Sequence, residues 1–192
     1  MQTGNLKEKY LKEIRNKLKK ELGKKNIYEV PGLVKIVINV GFGKISADSK
    51  VKDLISENLK KISGQKPVFT VAKKAIAGFK IRKGQTIGAK VTLRGDKMYH
   101  FYKKLVSIVF PRLRDFRGVK EKSFDNKGSF TLGFAEINVF PEIEYNRMDK
   151  ATGLEVTICT SAKSKDEAKA LLLDLGMPFP EIQQKNIKKS LG

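Results

Sequence analysis

Thr86-Ile-Gly-Ala-Lys-Val-Thr-Leu-Arg94 alternates in polarity without a break. Ile87, Ala89, Val91 and Leu93 fall on one side of an extended chain, and Thr86, Gly88, Lys90, Thr92 and Arg94 on the other. Strands covered on both faces, as in parallel sheets, are apolar throughout. Alternation marks a half-buried antiparallel strand. One face is built for a core, and the opposite face offers cations and hydroxyls.

The neighbouring segments extend this reading in both directions. Downstream, Gly95-Asp96 breaks the strand, with Asp96 expected as the N-cap of a helix over 97–109. Phe101, Leu105, Ile108 and Val109 form its apolar side, and Pro111 ends it. Upstream, residues 73–85 read as an irregular loop that follows a short strand over 68–71. Before that strand comes a helix over 48–62 with Val51, Leu54, Ile55, Leu59 and Ile62 inward, capped by Ser46 or Asp48 and stopped by Gly64. Residues 33–40 read as a strand with Ile36, Ile38 and Val40 on one face and Lys35, Val37 and Asn39 on the other. Residues 5–22 read as a helix with Leu6, Tyr10, Ile14, Leu18 and Leu22 recurring every four positions. Toward the C-terminus, strands are expected near 129–135, 137–140 and 154–160, and a last helix over 166–175 closed by Gly176. The tail from about Glu181 loses periodicity and reads as mobile and basic.

Alternating strands mixed with helices specify an α+β fold: a mainly antiparallel sheet with helices packed on one face and the other face open. The chain has 192 residues, which suits a single domain over 1–180 followed by the tail.

Charge points to the partner. Lys and Arg total 40 against 20 acids, a net +20. Generic solubility needs a net charge of only about 2–8. Moreover, the 38 positions from Asn58 to Gly95 hold ten cations and no acid. Apolar residues run through this stretch, so it folds, and folded cations without counter-charges repel one another unless a polyanion meets them. Nucleic acid, engaged first through its phosphates, is the polyanion expected. Lys90, Thr92 and Arg94 supply charge and hydroxyls for phosphate and 2′-OH contacts. Gly78, Gly84 and Gly88 would admit close backbone approach, and Phe69 and Phe79 could either stack on bases or pack internally. The Lys-rich face of the first helix (Lys9, Lys12, Lys17, Lys19, Lys20) is either a solvated face or a second phosphate contact.

Other classes fare worse. Cys159 is the only cysteine and His100 the only histidine. No disulfide framework, zinc site or His-based catalytic constellation can be assembled, so no enzyme, metal or cofactor is expected. Gly41-Phe-Gly-Lys44 lacks the spacing of a phosphate-binding glycine loop and reads as a turn. No stretch approaches the length of a membrane span, and the N-terminus has no signal-peptide core. Another structured-RNA-binding protein or RNA chaperone, and a membrane-surface protein using the basic first helix, are the alternative readings.

Seven ordered blocks carry a resemblance: Asn39-Val-Gly-Phe-Gly43, Ile62-Ser-Gly-Gln65-Lys-Pro67, Ala77-Gly-Phe-Lys-Ile-Arg82, Ile87 to Gly95, Pro111 to Gly118, Ser123-Phe-Asp125 and Phe140-Pro-Glu-Ile143. Over roughly residues 5–180 the chain resembles the bacterial large-subunit ribosomal protein "L-five" family. The resemblance implies an α+β fold with an open RNA-binding face and a protruding basic loop, and binding to 5S rRNA in the central protuberance of a cytoplasmic ribosome. It implies that Asn39, Gln65 and Thr92 stand at 5S-recognition positions, with Thr70 and Arg94 in the same motifs and Lys90 on the same strand face. It further implies that the loop carrying Lys73, Lys74, Lys80, Arg82 and Lys83 reaches toward P-site tRNA. Other large-subunit rRNA and proteins, and a small-subunit protein at an intersubunit bridge, are the remaining implied partners. The chain departs from the family pattern at Ala75, Gly128-Ser-Phe130 and Glu136-Ile137.

Overall fold

The computed structural model describes residues 6–43, 49–113, 116–143 and 153–180. The expected caps Ser46 and Asp48, Lys44, Asp115 and the tail beyond residue 180 lie outside them. Among the described residues four helices and five strands form. Helix α1 runs continuously through Leu6–Lys9, a π turn at Tyr10–Ile14, and Arg15–Glu21. Strand β1 is Leu33–Gly41, α2 is Ser49–Ser63, β2 is Val68–Val71 and β3 is Thr86–Leu93. Helix α3 comprises Gly95–Lys104, a π turn at Leu105–Val109, and Phe110–Arg112. β4 (Phe130–Phe134), β5 (Leu154–Thr160) and α4 (Lys165–Asp174) follow. The strands form one antiparallel sheet in the order β2-β3-β1-β5-β4. The fold class is α+β, as the alternation dictates.

The chain divides into two compact units: Met1–Ile36 with Arg94–Thr131 and Ile158–Gly192, and Val37–Leu93 with Leu132–Thr157. In the first, α1 buries Tyr10, Ile14 and Leu18. The Tyr10 hydroxyl donates to the Pro31 carbonyl at 2.9 Å, and its ring tilts against Tyr99 with centroids 6.3 Å apart. Burial pushes the Tyr99 phenol up to about 12. Lysines of and just after α1 pair with acids distant in sequence: Lys7 with Asp96, Lys17 with Asp174 and Lys24 with Glu167. Phe124, Phe130 and Phe179 form an aromatic cluster, with Phe124 and Phe130 centroids 4.6 Å apart. Helix α4 opens on a capping arrangement. Ser164 Oγ accepts from the Glu167 amide at 3.3 Å, while Glu167 Oε2 accepts from the Lys163 amide at 3.0 Å.

In the second unit, α2 packs on β3 and buries Val51, Ile55, Leu59 and Ile62. Gly64 takes φ +65 just past the helix, a left-handed stop that a side chain disfavours. Ile38 and Val40 of β1, and Ala89, Val91 and Leu93 of β3, are buried.

Three local expectations are corrected. Residues 137–140 do not form a strand; Ile137–Val139 is a single 3-10 turn. Ile137 and Phe140, both buried, are three apart, a spacing that eclipses on a 3-10 helix and points both side chains into the core. Asp96 is not the N-cap of α3. Arg94 holds that position in extended geometry, and Asp96 in the first turn pairs with Lys7 at 2.8 Å. The Lys7 ammonium holds the Asp96 carboxyl below its ordinary range. Pro111 does not end α3, which continues through Arg112. The Phe110 amide reaches back to Leu105 O across the π turn, so the hydrogen-bond ladder is already displaced where proline brings no N–H.

Candidate nucleic-acid interface

β2 and β3 pair antiparallel, Val68 opposite Lys90, Phe69 opposite Ala89, Thr70 opposite Gly88 and Val71 opposite Thr86, with an irregularity between Thr70 and Val71. Directly opposed residues share a sheet face. Thr70 and Lys90 therefore lie on the face that Ala89 and Val91 leave, together with Thr92 two residues on. Lys90 is exposed and Thr70 and Thr92 are half-buried. On β1, Asn39 is exposed between buried Ile38 and Val40. Arg94 follows β3 in extended backbone and is exposed.

Gln65 reaches this surface through the connection from α2 to β2. Its Nε2 donates to the Thr92 carbonyl at 3.3 Å. Ser63 shapes the approach: its hydroxyl donates to Leu59 O at 2.6 Å and accepts from the Gln65 amide at 3.2 Å. Gln65 thus ties the connection to the strand carrying Thr92, so part of its amide serves positioning. The signal for Ser63 was present in the sequence, a serine directly before a helix-stopping glycine, a local bonding position for hydroxyls.

Gly88 has a different role from the one its sequence suggests. It is buried, and a Cβ there would lie 2.8 Å from Thr70 Oγ1 and 2.9 Å from the Val40 carbonyl. Its missing side chain lets strands and the Thr70 hydroxyl approach one another, rather than admitting RNA. Phe69, on the buried side opposite Ala89, meets Phe42 edge-on with centroids 6.5 Å apart. One side of its ring is covered by Phe42, and the rest of the side chain stays exposed.

Between β2 and β3 the chain forms a hairpin excursion held by its own backbone. Ala72 N–H donates to Gln85 O and Gly84 N–H to Ala72 O, each at 2.9 Å, closing the base. Ile76 and Ile81 exchange hydrogen bonds at 2.9 and 3.1 Å, closing the tip. The Gln85 side chain accepts from the Arg82 amide at 2.9 Å. Lys73, Lys74, Lys80, Arg82 and Lys83 are all exposed. Among the described residues none of them, nor Lys90 or Arg94, is ion-paired. Lys61, by contrast, lies 3.7 Å from Glu57 one helical turn away. The acid-free stretch is therefore uncompensated in space as well as in sequence across the strand and the loop. Among the described residues there is no group of acids, histidine and cysteine able to hold a metal, and no helix long and apolar enough to cross a membrane.

A cationic, hydroxyl-bearing strand face with a basic hairpin beside it defines a class: a basic α+β protein suited to structured RNA. Comparison with known proteins narrows the class. Residues 26–82 match the family model for ribosomal protein L5, and residues 86–179 match the model for the C-terminus of the same ribosomal protein family. The large ribosomal subunit protein uL5 of an Anaeromyxobacter species is 53% identical over 174 residues, covering 91% of this chain and 97% of its own length. Its counterpart in Moorella thermoacetica is 52% identical over 176 residues, covering 92% and 98%. That of Brevibacillus brevis is 52% identical over 174 residues, covering 91% and 97%. The chain belongs to the ribosomal protein L5 family. It is a structural protein of the large ribosomal subunit rather than an enzyme, its partners are ribosomal RNA and ribosomal proteins, and it resides on cytoplasmic ribosomes.

Proposed function

We propose that this protein binds 5S rRNA in the central protuberance, using Asn39, Gln65, Thr70, Lys90, Thr92 and Arg94, and that the loop carrying Lys73, Lys74, Lys80, Arg82 and Lys83 faces P-site tRNA. A contact with a small-subunit protein at an intersubunit bridge completes the reading. The observation that carries it is the β2–β3 register, which puts Thr70 and Lys90 on one acid-free face with Thr92. Cations and hydroxyls in that arrangement suit the phosphates and 2′-hydroxyls of a folded RNA. The hairpin is a separate surface with its own hydrogen-bond frame and no hydroxyl or amide side chain from Lys73 to Gly84, so it suits a partner met mainly through charge. Capture of total rRNA on the full chain, followed by identification of the retained species, tests the assignment. Enrichment of 5S over the larger rRNAs is expected, and recovery in bulk proportion would overturn it.

A further inference from the structure

The tip of the β2–β3 hairpin holds apolar side chains away from the core. Phe79 is 68% exposed and Ile76 47%. Their neighbour Ile81 is half-buried, its Cδ1 3.6 Å from where a Cβ on Gly43 would stand. The tip is therefore anchored through Ile81 and bare at Phe79. Its backbone is specified: Phe79 N–H donates to Ile76 O at 3.3 Å and Lys80 N–H to Ala77 O at 3.0 Å. Lys80 adopts φ 53, ψ 34, the one left-handed non-glycine among the described residues. A bulky residue rarely holds that conformation unless its surroundings impose it, and such residues gather at binding sites. No ring or cation among the described residues lies against Phe79.

We propose that Phe79 is a stacking finger, presented by the strained Lys80 turn to an exposed nucleobase of a structured RNA while the surrounding lysines and arginine neutralise its phosphates. The inference rests on the reading that this loop faces RNA and adds a base contact to a charge contact. An aromatic ring among uncompensated cations is the pairing by which proteins hold unstacked bases without sequence preference. A protein pocket for Phe79 would not require the five exposed cations that flank it. A bilayer would need a wider apolar face than one ring and one isoleucine.

The chain contains no tryptophan, so Phe79→Trp makes a single fluorescent reporter in the full-length protein. The probes are a tRNA transcript and a 5S rRNA transcript, titrated separately. Two results are expected: tRNA quenches the indole emission of the Phe79→Trp protein, and Phe79→Ala weakens tRNA binding about 5- to 150-fold with the salt slope unchanged. Phe79→Leu should fail to restore affinity, since stacking needs the ring; full rescue by leucine would overturn the inference. Quenching by 5S rRNA alone would uphold the finger and overturn the assignment of the loop to tRNA. Conversely, if Lys80→Ala lowers the tRNA salt slope while every Phe79 variant binds as the parent does, the loop reading stands and the finger falls. Absence of quenching by either RNA also refutes it.

Discussion

Replacing Gly88 by alanine should destabilise the sheet at the centre of the proposed 5S surface. The added methyl would meet Thr70 Oγ1 at 2.8 Å and the Val40 carbonyl oxygen at 2.9 Å, both closer than carbon tolerates. The hydroxyl can rotate or shift with its side chain, but the carbonyl belongs to the adjacent strand, whose movement would disturb buried Ile38 and Val40. Gly88 has no positive φ, so alanine introduces no backbone strain and the whole effect is steric. Overpacking of this kind costs about 1–3 kcal/mol. At a urea m-value of roughly 2 kcal/mol/M, the midpoint should fall by about 0.5–1.5 M with the slope unchanged. Adding Thr70→Ala removes one collision and leaves the other, so the double variant should recover only part of the loss. Gly41→Ala, where a methyl meets nothing within 4 Å and φ is not positive, is the control. A Gly88→Ala midpoint within about 0.2 M of the parent, or full recovery on removing the Thr70 hydroxyl, would refute the reasoning that the Val40 carbonyl sets the limit.

Asn39→Ala and Thr92→Ala should each weaken 5S rRNA binding more than Lys83→Ala, because Lys83 sits in the hairpin; equal losses in a filter-binding titration would contradict the division into two surfaces. The 5S affinity should fall steeply with salt, about 0.7–0.9 in log–log slope for each phosphate neutralised, and a flat response would exclude phosphate-led binding. Lys24, then the Lys163 amide, hold the Glu167 carboxyl below its ordinary range. A carboxylate depressed on folding stabilises above its unfolded pKa and loses that contribution as pH falls through the folded value. The parent should therefore exceed Glu167→Gln by about 0.5–1 kcal/mol at pH 7, and the gap in urea midpoint should narrow as pH falls from about 4.3 through the folded value; a gap that does not change on acidification would show that the ion pair is not its source.

Periodicity made most elements legible because each helix and strand buries one clean face: β5 falls at 154–160 as read, and Gly64 and Gly176 stop α2 and α4 as left-handed residues do. The failures share a cause. Ile137 and Phe140 are a pair of core side chains whose spacing fits a 3-10 turn as well as an extended run passing through Val139, and only the tertiary surroundings decide. Asp96 has the right chemistry for a cap, but Lys7, 89 residues away, competes for it. The candidate site was legible in residue type, since cations without acids are visible in any window. The role of Gly88 was not, because it depends on a distance to a carbonyl of another strand that no local pattern encodes. Phe69 and Phe79 illustrate the same limit: two exposed aromatics in one basic stretch, one with Phe42 edge-on to its ring and the other with no ring against it among the described residues.

β2 is the last strand of the sheet, and it is short and oily, with Val68 63% and Val71 55% exposed. A bare edge of this kind invites pairing with another copy of itself. What restrains it in the unassembled chain is electrostatic: Lys66 and Lys73 bracket the strand, and a net +20 keeps copies apart. On the proposed reading, RNA binding neutralises that charge at the moment the cognate partner covers the strand. Polyanions that neutralise the charge without covering the edge remove the restraint and leave the hazard. For this protein, then, the order of assembly is a solubility question as much as a recognition one, and a non-cognate polyanion added before cognate RNA should turn a soluble chain into a precipitating one.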